Sequence, residues 1–172
     1  CSYEGLYQAI QTGKGLEGTV EFFPEEGKYH FDGHRKCGVS LSPTEAERLG
    51  EICPVCGKKL TMGVDHRVEQ LADREEGFVK EDGRKYESLV PLPEVISACM
   101  GYSTASKKVQ GCFEQMLQKL GTEFDILRNV PAEDIKSCAG ERIAEGIENV
   151  RTGHVKRIPG YDGEYGKIEL FD

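Results

Sequence analysis

Four side chains in the first third of the sequence have the types and spacing of a single metal site. His34 and Cys37 are separated by two residues, and so are Cys53 and Cys56 in the run Cys53-Pro54-Val55-Cys56-Gly57. Two donors at that spacing grip one ion from a tight turn. Two such turns close a tetrahedral shell of thiolate sulfur and imidazole nitrogen. Pro54 sets the bend of the second turn, and Gly57 lets backbone amides approach the sulfur. Four protein donors leave no open coordination position, so the spacing predicts one structural zinc ion and assigns no residue a catalytic role. His30 is also within reach as a donor; His34 is preferred because it completes the two-residue spacing. A redox pair at Cys53 and Cys56 would need a strand–CxxC–helix context, which is missing, since Lys58-Lys59-Leu60 reads as a strand.

The elements that must position these donors follow from local signals. Residues 2–12 read as a short helix with Leu6, Ala9 and Ile10 at helical spacing, and 18–23 as a strand rich in β-formers. Pro24-Glu25-Glu26-Gly27 is a turn, and 28–32 is expected to run extended into the first metal turn. Between the two turns Ser42, Pro43 and Glu45 form an N-cap, a first helical residue and a capping-box partner, with Gly50 as the stop. A strand is expected over 59–64, then a helix over 65–72 with Val68 and Leu71 on one face. Residues 74–86 are charged and aperiodic and read as a linker.

The second half reads as mostly helical. One helix opens at Pro93 and ends at Gly101. A long one, capped by Ser103 and ended by Gly121, carries Val109, Cys112, Phe113, Met116, Leu117 and Leu120 on a single stripe. Residues 123–130 are expected to be extended, 131–137 and 142–151 helical, and 154–171 a hairpin. The fold class expected is α+β: a small zinc-ribbon or treble-clef-like module, then a mostly helical domain with a short C-terminal hairpin.

The chain has 172 residues, 38% of them hydrophobic, enough for one ordinary core or two small ones. It contains no apolar run of membrane-spanning length and no signal-peptide pattern, so no membrane partner is expected. Seven cysteines are an odd number and include a CxxC turn, which fits a reducing cytoplasm; Cys1, Cys99, Cys112 and Cys138 are expected to be free thiols. The net charge of −8 argues against a generic nucleic-acid coat but leaves room for local basic patches, at 103–108 and 151–157. No GxxxxGK[ST] loop is present, and Asp32, Asp65 and His66 match no known site spacing, so solvated or capping roles are expected for them. The chain starts at Cys1 in sequence that reads as mid-domain, so a fragment of a longer protein is expected.

Several motifs together are recognisable. They are residues 27–37 (GKYHFDGHRKC), 53–57 (CPVCG), 66–68 (HRV), 71–73 (LAD), 106–110 (SKKVQ) and 159–166 (PGYDGEYG). With them the sequence resembles the C-terminal half of the endonuclease Q family, bacterial members of which are often labelled PHP-domain phosphoesterases or helicase-like proteins. The resemblance implies a DNA-repair enzyme that cuts 5′ of deaminated bases and abasic sites, with its phosphoesterase metal motifs upstream of Cys1. It further implies that residues 1–27 are the tail of that PHP domain, 28–82 the zinc module with its linker, and 83–172 a helical domain that helps hold damaged DNA. His34 departs from relatives with a fourth cysteine at this point, a change zinc tolerates.

Six residues are candidates for the DNA contact. Ser103, Ser106, Lys107 and Lys108 offer hydroxyls, ammonium groups and helix-start amides to a phosphate; the alternative is a cap beside a solvated lysine pair. Tyr161 and Tyr165, set among glycines, suit a loop that stacks on a base; the alternative is a hairpin turn whose tyrosines cover the core. A different function class, a non-enzymatic zinc-ribbon adaptor for other proteins, would also fit the acidic balance.

Overall fold

The computed structural model describes residues 2–75 and 77–171. The expectation of a free thiol at Cys1 lies outside the described residues. The element order is α1 (Tyr3–Thr12), β1 (Gly18–Glu21), β2 (Asp32–His34), β3 (Val39–Leu41), α2 (Pro43–Arg48), α3 (Val64–Leu71), β4 (Lys85–Ser88), α4 (Leu92–Met100), α5 (Lys107–Leu120), α6 (Glu123–Arg128), α7 (Ala132–Ala139), α8 (Glu141–Thr152), β5 (Lys156–Ile158) and β6 (Lys167–Glu169). The strands form three two-stranded sheets: β1 parallel to β4, β2 antiparallel to β3, and β5 antiparallel to β6. The mix of helices and small sheets is the α+β class expected. Among the described residues no helix is long and apolar enough to cross a membrane.

Two separate buried clusters divide the apolar side chains. The larger joins Leu92, Val95 and Ile96 of α4 to Val109 and Met116 of α5, Ile126 and Leu127 of α6, Ile135 of α7, and Ile143, Ile147 and Val150 of α8. Ala144 of α8 with Phe23, Leu89, Val90 and Leu170 complete it, so the segment after β1 and the tail both close on the helices. Each fully buried Leu or Ile here contributes about 1.5–3 kcal/mol. Cys99, Cys112 and Cys138 pack against this cluster as small apolar groups, and burial pushes the Cys99 thiol up to about 11.

The smaller cluster holds only Ala46, Cys53 and Leu60, with Cys37, Val39 and Leu41 at its margin. A core of this size supplies little folding energy. Local devices therefore matter in residues 28–73. Ser42 and Glu45 form the capping box expected, with the Ser42 amide donating to the Glu45 carboxylate at 2.9 Å.

Several sequence expectations give way. Residues 123–130 are not extended: Thr122 accepts from the Asp125 amide and opens α6, which buries Ile126 and Leu127. A local cap outweighed an ambiguous apolar pattern. Lys28 to His30 form a turn, closed by the His30 amide on the Gly27 carbonyl at 3.0 Å. The strand expected over 59–64 reduces to single bridges at Lys59 and Thr61, and Val64 already begins α3. On α3 it is His66 that is buried, while Val68 and Leu71 are exposed. The cap of α5 is Ser106 rather than Ser103, because Ser103 closes a preceding turn with the Ser106 amide. The stretch read as linker ends earlier than expected, since Lys85–Ser88 is β4 in register with β1, Gly18 opposite Lys85.

Candidate metal centre

The donors sit on two turns brought face to face. The first follows β2, where residues 35–37 form a 3₁₀ turn closed by Gly38 at φ 64°. In the second, the Gly57 amide donates to the Cys53 carbonyl at 2.9 Å, and the Cys53 amide to the Lys58 carbonyl at 2.8 Å. The Ile52–Lys59 bridge closes the second turn, and the Gly33–Thr61 bridge locks the two turns together. As a result the donor atoms of His34, Cys37, Cys53 and Cys56 all lie within 4.8 Å of one another. Around an ion with metal–sulfur and metal–nitrogen bonds of usual length, tetrahedral donors stand about 3.6–3.8 Å apart, so the group fits one ion. The Cys56 sulfur is 3.4 Å from His34 Nδ1. His30 is not in the group; its ring stacks on Phe31 with centroids 5.4 Å apart.

The thiols differ in how readily they ionise without metal. Burial, with the Cys56 and Cys53 thiols beside it, pushes Cys37 up to about 11. Burial also opposes ionisation of Cys53, but the amides of Cys56 and Val55 outweigh it and bring this thiol down to about 7. The chain thus holds one sulfur ready for a cation and needs the cation to release the proton from another.

A support layer behind the first turn escaped the sequence reading. Asp32 is fully buried: one carboxylate oxygen accepts from the Gly63 amide at 2.6 Å, and the other faces His66 Nδ1 at 2.7 Å. A carboxylate can only accept, so His66 donates from Nδ1. Of the solvated or capping roles expected, the solvated one does not hold for either residue; they fasten β2 to the start of α3. Gly63 must be glycine there, because a Cβ would stand 2.3 Å from the His30 carbonyl oxygen. Asp32 and His66 are 34 residues apart, beyond any local pattern.

The loop between β5 and β6, residues 159–166, clasps the same module. The Phe31 amide donates to the Gly160 carbonyl at 2.9 Å, and the Gly163 amide to the Lys28 carbonyl at 2.8 Å. Asp162 accepts from the Thr61 hydroxyl and from the Arg35 amide, both at 2.6 Å, which fixes the turn carrying His34 and Cys37. These two bonds, the Thr61 hydroxyl foremost, hold the Asp162 carboxyl below the usual range. Asp162→Ala should therefore cost about 2 kcal/mol in chemical denaturation of the metal-loaded chain. An unchanged midpoint would mean that the clasp does not bear on the module.

The candidate DNA contacts are scattered. Tyr161 is half-buried, bridged to Phe31 and packed so close over Gly33 that a Cβ there would lie 2.4 Å from its ring. Tyr165 is 72% exposed. At the start of α5, Ser106 accepts from the Val109 amide at 3.3 Å; Lys108 donates to the Tyr102 hydroxyl at 2.7 Å, and Lys107 is exposed. The cations of the second basic patch, 151–157, are largely paired within the chain, Arg151 against the core and Lys156 and Arg157 at the surface. Arg151 caps α6, Arg157 pairs with Glu25 at 3.0 Å and Lys156 with Glu169 at 3.0 Å.

Residues 91–154 match the family described as the MJ0043 C-terminal domain. Over 98% of its length the chain is 33% identical to the uncharacterized protein MJ0043 of Methanocaldococcus jannaschii, of which it spans 21%. It is 29% identical, over 85% of its length, to the uncharacterized protein YqxK of Bacillus subtilis, and spans 34% of that protein. Among solved structures, the lesion-specific endonuclease PfuEndoQ from Pyrococcus furiosus superposes with a TM-score of 0.84 at 31% identity, over 98% of this chain and 42% of that one. Endonuclease Q bound to a 27-mer duplex substrate with an abasic lesion at its active site superposes with a TM-score of 0.82 at 29% identity, over 100% of this chain and 43% of the other. The chain thus spans less than half the length of each of these relatives. In sequence and in fold, then, the chain resembles endonuclease Q over essentially its whole length, and residues 91–154 match the MJ0043 C-terminal domain.

Proposed function

We propose that this chain is the DNA-holding, lesion-recognition part of a repair endonuclease that cleaves 5′ of deaminated bases. The observation that carries the reading is the end-to-end likeness to endonuclease Q, one solved form of which holds a duplex with an abasic lesion. In this reading His34, Cys37, Cys53 and Cys56 bind one structural zinc ion, and residues 28–82 are the zinc module with its linker. Residues 83–172 are the helical domain, and cleavage belongs to a PHP phosphoesterase domain in the same polypeptide. Residues 1–27 close that domain. In support, α1 leaves Tyr3, Leu6 and Ile10 exposed, and Val20 and Phe22 are exposed beside it in sequence, apolar side chains that need a neighbour. A reducing compartment such as the cytoplasm suits the free thiols at Cys99, Cys112 and Cys138.

Ser103, Ser106, Lys107 and Lys108 contribute phosphate contacts, and Tyr165 a base contact; Tyr161 acts behind it by packing on Gly33. Fluorescence anisotropy with a duplex carrying one abasic site or one uracil, at low salt, tests the reading. Binding in excess of that to a random polyanion is expected. Lys107→Ala with Lys108→Ala should lower the salt slope by about 1 per lysine while leaving the melting profile unchanged. No preference over the polyanion would overturn the reading, and an unaltered slope would remove the two lysines from it.

A further inference from the structure

We propose that Lys28, Tyr29 and Tyr165 form one stacking platform for an unpaired nucleotide, the rings taking the base and the ammonium its phosphate. This deepens the DNA-holding reading and rests on it. Tyr29 and Tyr165 lie 136 positions apart in a chain of 172 (165 minus 29), yet the Lys28 ammonium is 5.7 Å from the centroid of each ring. The rings are 46% and 72% exposed, in a module with very few buried apolar side chains to spare. Among the described residues Lys28 makes no ion pair.

The mounting is rigid although the side chains are open. The Lys28 carbonyl accepts from the Gly163 amide at 2.8 Å and the Tyr29 carbonyl from the Val64 amide at 2.8 Å. The His30 carbonyl accepts from the Asp65 amide at 3.0 Å, and the Gly166 amide, next to Tyr165, donates to the Glu26 carbonyl at 3.1 Å. Both halves of the platform are thus fixed to the metal module before any ligand arrives, which limits the ordering cost of binding. Arg35 flanks the surface, with Nη1 3.7 Å from where a Cβ on Gly163 would stand.

The chemistry of the trio selects its guest. Two exposed rings alone would also suit a cation. The Lys28 ammonium shared by both rings repels one and favours a ligand that is flat and anionic at once, as a nucleotide is. Bases stack on aromatic side chains without regard to sequence, which suits a site that meets whatever base a lesion leaves unpaired.

The test uses the full metal-loaded chain and two duplexes, one with a single unpaired 2-aminopurine and one fully paired. With the wild-type chain the 2-aminopurine fluorescence should be quenched on binding. Tyr29→Leu with Tyr165→Leu should abolish the quenching and weaken binding of the unpaired-base duplex about tenfold to hundredfold, with the paired duplex unaffected. Lys28→Met should weaken both duplexes and lower the salt slope by about 1. Tyr165→Leu alone, at the more exposed position, serves if the double variant does not fold, and should remove most of the quenching. Quenching and affinity unchanged in the tyrosine variants would overturn the platform alone. A wild-type chain that binds neither duplex would overturn the DNA-holding reading together with it.

Discussion

Stripping the metal with a strong chelator should unfold residues 28–73 while the helical core keeps its far-ultraviolet signal. The reason is the size of the smaller cluster. Among the described residues Ala46, Cys53 and Leu60 are its only buried apolar residues, whereas the larger cluster has sixteen, twelve of them on helices α4–α8. Structural zinc in small modules supplies roughly 10 kcal/mol or more at neutral pH, far beyond what one buried leucine and a capping box contribute. Cys53→Ser should have the same effect as the chelator, since Cys53 is 1% exposed and belongs to both the metal group and the cluster. Hydrogen exchange at the amides of Gly33, Gly57 and Thr61 is the direct readout, because these close the module's cross-links. Protection that survives verified metal removal would contradict the expectation.

The thiols add a pH dependence with a definite sign. Cys37, pushed up to about 11 without metal, is protonated at neutral pH and must lose its proton to bind. Metal affinity measured by chelator competition should therefore rise with pH, by about tenfold per unit for each proton released. Cys53, near 7, adds to this trend only below neutrality.

Arg151→Leu should destabilise the helical part by about 3–5 kcal/mol, a large effect for a residue whose type and charge suggest surface. Its guanidinium is 16% exposed and donates to the carbonyls of Leu127 at 2.9 Å, Ile126 at 2.7 Å and Val130 at 2.7 Å. These carbonyls lie at the C-terminal end of α6, where a helix leaves its last acceptors without internal partners, and a cation there also meets the negative end of the helix dipole. Hydrogen bonds to a charged group contribute about 1.5–3 kcal/mol each, not additively, and leucine would leave all three acceptors unpaired beside the core. Lysine carries the charge but not the planar fork, so Arg151→Lys should recover only part of the loss. Urea denaturation of the metal-loaded chain, followed by the helical signal, gives the number. A loss under about 1 kcal/mol would mean that water replaces the guanidinium at this helix end.

What was legible in the sequence was local. The two-residue spacing of donors, the Ser42–Glu45 capping box, and the helix ends at Gly101 and Gly121 each follow from residues within one turn of each other. The missed features have two physical origins. At α6 the apolar residues Phe124, Ile126, Leu127 and Val130 fit either period, and only the cap at Thr122 and Asp125 decides between them. Elsewhere the partners are distant: β1 with β4, Asp32 with His66, Asp162 with Thr61 and Arg35, Lys28 with Tyr165. No local pattern encodes contacts between residues 34 to 137 positions apart, and those of Asp32 and Asp162 are what hold the metal turns in place. The patch at 151–157 makes the converse point. Its charges were legible, but their use in capping and internal pairing was not.

X-ray absorption at the zinc K-edge of the purified chain tests the metal centre most directly. The expected shell has three sulfur atoms at about 2.3 Å and one nitrogen at about 2.0–2.1 Å, with no bound water. A chain purified without zinc, or a shell rich in oxygen, would contradict a closed site built from His34, Cys37, Cys53 and Cys56.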